Sequence, residues 1–130
     1  MNMSRFRSTA VNVHFRKGSG IQTFRPGDLL EADIEVISDK PVECHGIEVS
    51  VGWHTEGRGD RNSETVYVEP FGVIMELSPE EPVKEFFSCR LPSQPWSYTG
   101  ELINIVWAVR VKVIFRVIDL RHEETFILQP

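Results

Sequence analysis

Apolar residues hold every odd position from Ile103 through Ile105, Trp107, Val109, Val111, Val113, Phe115 and Val117. The even positions from 102 to 116 mix Leu102, Val106, Ala108 and Ile114 with Asn104, Arg110, Lys112 and Arg116. A period of two over that length means extended backbone with one buried face. A helix would scatter the three cations around its circumference and gain no apolar stripe. The pattern predicts a long strand with its odd face in the core and its cations on the other side.

The same alternation predicts strands along most of the chain. Val11, Val13 and Phe15 alternate with Asn12 and His14, and extended chain resumes over Ile21 to Phe24. Arg25-Pro26-Gly27-Asp28 is a type II turn, with proline presetting φ and glycine taking a positive φ. Leu30, Ala32, Ile34 and Val36 then face one way, while Glu31, Asp33 and Glu35 face the other. That acidic row reads as a solvated outer face that discourages edge pairing. After the Ser38 to Pro41 turn, apolar positions are even at Val42 and Cys44 but odd at Ile47, Val49, Val51 and Trp53. Gly46 is where a bulge or bend would let the strand change face.

Thr55 to Ser63 is a polar loop, and Glu64 to Val68 pairs back as a hairpin. Turns are expected at Glu69 to Gly72, Ser78 to Pro82 and Asp119 to His122. The strands between and after them are Val73 to Leu77, Val83 to Leu91 and Glu124 to Gln129. Turn signals recur at short spacing, and no stretch joins helical caps to a 3.6-residue period. The expected fold is all-β, an immunoglobulin-like antiparallel β-sandwich formed by residues 1–130 as one domain. A closed barrel is the alternative. The unequal strand lengths favour two packed sheets, with the long strand after Gly100 bending or changing sheets.

Composition narrows the function classes. The 130 residues carry a formal net charge of −5, which argues against nucleic acid as a main partner. No run approaches the roughly 18 uncharged apolar residues of a membrane helix, so no membrane insertion is expected. The amino-terminal stretch lacks the apolar core of a signal peptide. Cys44 and Cys89 read as buried free thiols, with a disulfide between them the alternative. The expected location is the cytoplasm.

No catalytic, cofactor or metal site is expected. His14, His45, His54 and His122 lack the paired spacing of a zinc site, and no nucleophile elbow, P-loop or dinucleotide fingerprint occurs. Arg58-Gly59-Asp60 spells an adhesion tripeptide but reads as a loop needing glycine for its turn. Candidate partner-binding residues are the basic set Arg110, Lys112 and Arg116, the loop residue Arg58, and the rings Trp96 and Tyr98. The cations, with Arg121 beyond them, either pair across the sheet with Glu31, Asp33 and Glu35 or await an acidic partner. Trp96 and Tyr98 either cap one end of the core or, with Trp53, stack on a small ligand or carbohydrate.

Several of these motifs together resemble an arrestin amino-terminal domain. Phe24-Arg25-Pro26-Gly27-Asp28 leading into a strand, followed by Lys40-Pro41, resembles its opening. Leu91-Pro92, Pro95, Ser97-Tyr98 and Gly100, followed by Ile103, Ile105 and Trp107, are similar to its leucine-proline, proline-serine-aromatic, glycine, strand motif. Phe126 to Pro130 resembles the strand that closes the domain. The resemblance covers nearly the whole chain and implies a single-domain, bacterial, arrestin-like protein. Relatives of this fold act as scaffolds and trafficking adaptors, and bacterial ones include sporulation-control factors.

It therefore implies a non-enzymatic interaction module that binds a protein partner through an exposed strand edge, the 55–63 loop, or both. Arrestins carry two such domains and a regulatory tail. This chain has room for one domain, so receptor or phosphate sensing is not carried over. Self-association as a homodimer, two copies standing for the tandem pair, is a further expectation.

Overall fold

The computed structural model describes residues 3–6, 8–59, 61–72 and 74–130. Its strands are β1 (Met3–Phe6), β2 (Thr9–Phe15), β3 (Thr23–Phe24), β4 (Leu29–Ser38), β5 (Val42–Cys44) and β6 (Gly46–Gly57). They continue with β7 (Ser63–Phe71), β8 (Met75–Leu77), β9 (Val83–Arg90), β10 (Tyr98–Thr99), β11 (Ile103–Ile114) and β12 (Asp119–Leu128). One sheet runs β1-β2-β4-β9 and the other β3-β12-β11-β6-β7, with β10 on β11. β5 and β8 form a small separate ladder. Among the described residues, every pairing is antiparallel except β3 with β12.

The two sheets bury their inward residues against each other. β2 and β4 contribute Val11, Val13, Phe15, Leu30, Ala32, Ile34 and Val36; β6 and β11 contribute Val49, Val51, Trp107, Val109, Val111 and Val113. Phe15, Phe24 and Phe126 meet edge to face at 5.4–6.1 Å and plug one end. Such pairs add about 0.5–1.5 kcal/mol beyond the area they bury. Cys44 and Cys89 are free and buried. Burial pushes the Cys89 thiol up to about 11 and raises Cys44, which makes both poor nucleophiles.

The long strand follows its predicted face over Trp107 to Val113 and then stops. Phe115 to Ile118 is a tight turn closed by Phe115 N–H on the Ile118 carbonyl, and Val117 is 93% exposed. The chain returns at once as β12, so Asp119 to His122 is strand and not the expected turn. β11 stays in one sheet, its far flank passing from β10 to β12.

The face change near Gly46 is a change of ladder. β5 pairs with β8, the chain breaks at His45, and Gly46, at φ 155°, starts β6 in the large sheet. β7 continues through Glu69 and Pro70 to Phe71, where a turn was expected, because these residues stay in register with Val49, Glu48 and Ile47. Val73 and Asp60 lie outside the described residues. β3 lies within the extended chain expected over Ile21 to Phe24, but neither its parallel pairing with β12 nor β1 is legible in the sequence.

Candidate functional site

β4 sends Glu31, Asp33 and Glu35 outward, and the partners of Asp33 and Glu35 come from the chain just after β2 and from β9. Arg16 donates from Nε and Nη2 to Asp33 at 3.1 and 3.0 Å and stacks 4.1 Å from the Phe86 ring centroid. That fork holds the Asp33 carboxyl below its usual range and raises Arg16. Lys84 lies 3.9 Å from Glu35. The expected pairing of this acidic row with Arg110, Lys112 and Arg116 does not occur, because Arg110 and Lys112 belong to the opposite sheet, where they pair with Glu123 and Glu48, and Arg116 to the turn after β11.

The predicted basic face divides. Arg116 sits exposed in the turn after β11, away from the other two. Arg110 Nε donates to Glu123 Oε1 at 3.1 Å, and its Nη2 to His54 Nδ1 at 3.2 Å. Because a guanidinium only donates, Nδ1 must accept, so Nε2 carries the proton and donates to Glu56 Oε2 at 2.9 Å. His54 is thus a buried, oriented link in a Glu56–His54–Arg110–Glu123 chain. A Cβ at Gly52 would meet Arg110 Nη1 at 2.9 Å and collide with the Glu64 carbonyl. The bare backbone there, beside the register shift between Val51 and Gly52, is what admits the guanidinium. Glycine inside a strand run is the one sequence signal for this close approach.

Trp96 and Tyr98 are 47% and 56% exposed, so neither ring caps the core; Tyr98 lies over Gly100. Trp53 is half-buried and packs on the core, unlike the two exposed loop rings. The end of the core is closed by Trp107, whose Nε1 donates to the Pro95 carbonyl at 2.8 Å. Arg58 is exposed at the tip of the β6–β7 hairpin, where Gly59 takes φ 88°. Among the described residues, no group of three His, Cys, Asp or Glu side chains could hold a metal, and no helix is long and apolar enough to cross a membrane.

Both sheets leave an edge strand on the same side of the sandwich, β7 and β9, bridged by the rings of Tyr67 and Phe87 at 5.4 Å. β7 is a poor template, interrupted by the register shift and by Pro70, which has no N–H to offer. β9 pairs with β4 in unbroken register from Val36–Val83 to Leu29–Arg90. Among the described residues, no strand pairs with its other side.

No protein-family model and no curated protein matches the sequence. Among solved structures, the fold is similar to that of Spo0M, a sporulation control protein from Bacillus subtilis, with a TM-score of 0.74 and 14% identity. The match covers 96% of this chain and 51% of that one, so this chain spans about half the length of that structure. The fold is an arrestin-like all-β sandwich. At that identity the likeness carries the fold alone.

Proposed function

We propose that the chain is a non-enzymatic protein-binding module that takes an extended partner segment onto the free edge of β9. The observation that carries this is the regular, eight-residue β9, paired among the described residues on one side only. Alternate residues of such a strand turn N–H and C=O groups outward, and an added strand satisfies them. Phe86 and Lys84, exposed on its outer face, supply side-chain selectivity. Glu85, exposed on the side facing the other sheet, discourages indiscriminate edge pairing. The likeness to a sporulation control protein supports a regulatory role without catalysis. Two free buried thiols support a cytoplasmic setting.

The test compares affinity capture by the native chain with capture by Lys84→Pro and Glu85→Pro. One of these removes an outward N–H and leaves the β4 ladder intact. A partner retained by the native chain and lost from that variant, with far-UV dichroism unchanged, supports the reading. If sedimentation shows a dimer that the same variant dissociates, the partner is a second copy. Equal capture by every form refutes the β9 site.

A further inference from the structure

Lys112 of β11 stands directly opposite Arg121 of β12 on the outer face of the second sheet. Like charges facing across a ladder destabilise it. Each cation also has a loose ion pair: Lys112 stands opposite Glu48 of β6, with Nζ 3.8 Å from Oε1, and Arg121 Nη2 lies 3.6 Å from Asp119 Oδ2. Arg110, one outward step along β11, is held by both Glu123 and His54. With the Ser50 and Thr65 hydroxyls, these cations line a cleft of about 240 Å³. In a chain of net charge −5, two facing cations at one cleft, with ion pairs of only 3.8 and 3.6 Å, concentrate positive charge there.

We propose that this cleft binds the carboxylates of an acidic segment of a protein partner, lying extended along β11. Alternate side chains of an extended peptide recur about every 7 Å, the same step that separates Arg110 from Lys112. An acidic–x–acidic segment therefore sets one carboxylate between Lys112 and Arg121 and the next beside Arg110. Glu48 and Glu123 on the cleft wall oppose a continuous polyanion, such as a nucleic-acid strand with a charge about every 3.4 Å. The inference rests on the reading of the chain as a protein-binding module but uses a surface other than β9.

The experiment is a titration of isotope-labelled protein with a synthetic Glu-Ser-Glu-Ser-Glu peptide, with Lys-Ser-Lys-Ser-Lys and inorganic phosphate as separate arms. The expected result is saturable shifts confined to Ser50, Thr65, Arg110 to Lys112 and Arg121 to Glu123, weakening as salt rises. The Lys112→Gln/Arg121→Gln variant should lose affinity about tenfold. It should melt no lower than the native chain, since the repulsion it removes offsets the two loose surface ion pairs lost with it. The proposal is overturned by absent or unsaturable shifts, by undiminished affinity in the variant, or by phosphate binding as tightly as the acidic peptide. A lower melting temperature in the variant also overturns it, because the cations would then be structural. The β9 proline variants should bind the acidic peptide like the native chain, so failure here is distinct from failure at β9.

Discussion

Trp107 on β11 donates its indole N–H to the carbonyl of Pro95, 2.8 Å away, and so ties the proline-rich approach to the strand it precedes. The ring is fully buried beside Phe126. Trp107→Phe keeps an aromatic ring but loses the donor and leaves a void. The expected cost is about 2–3 kcal/mol, the lost bond and the void together, read as a lower urea midpoint with an unchanged slope.

His122 points into the sandwich from β12, opposite Val111, with Nε2 3.4 Å from Glu124 Oε2. Burial lowers its pKa, and the attraction of Glu124 and then Glu123 offsets part of that shift. The unfolded imidazole therefore binds its proton at higher pH than the folded one. Stability should be full above the unfolded value near 6.5 and fall as pH drops from there toward the folded pKa. Melting temperatures between pH 8 and pH 5 should show the decline, and His122→Gln should flatten it. Asp33 acts in a separate window: its stabilisation is lost only as pH falls below the ordinary carboxylate range, through its lowered folded pKa.

Gly52→Ala should destabilise the fold by about 1–3 kcal/mol, because the new methyl group meets the Glu64 carbonyl and Thr65 Cα. It should also displace the Arg110 guanidinium. His54 would then lose the donor on Nδ1, visible as a shift in its imidazole nitrogen resonances.

An aqueous quencher such as iodide should reach Trp96, reach Trp53 weakly and leave Trp107 dark to it, following their exposure. Trp96→Phe should remove most of the quenchable emission. Equal quenching of all three rings would contradict the closed core end.

Much of the sandwich was legible because burial on one face writes a period of two into the chain. β4 shows it most cleanly, with Leu30, Ala32, Ile34 and Val36 buried in strict alternation. Where alternation does not register the environment, the reading failed. Phe115 and Val117 continue the apolar pattern through a turn made of residues with no turn preference, so the end of β11 was invisible. β3 is two residues long and parallel, too short to carry a pattern. The basic face was half legible: parity placed Arg110 and Lys112 together, but it is silent about which sheet supplies their partners. The acids on β4 match in charge and are excluded by topology. The buried role of His54 depends on a contact between residues far apart in sequence, and only Gly52 hinted at it.

The β6–β11 ladder at the centre of the second sheet runs from Gly46–Ile114 to Gly57–Ile103. Its innermost pair already spans everything between Gly57 and Ile103, so no part of it can zip from a neighbouring turn. Closing that span costs chain entropy before any pair rewards it, which puts folding in the slow regime of roughly milliseconds to seconds. During that wait, the β6–β7 hairpin stands with Val49 and Val51 uncovered and the β11 side of β6 unpaired. Refolding yield should therefore fall as protein concentration rises, with the half-built sheet as the aggregating species.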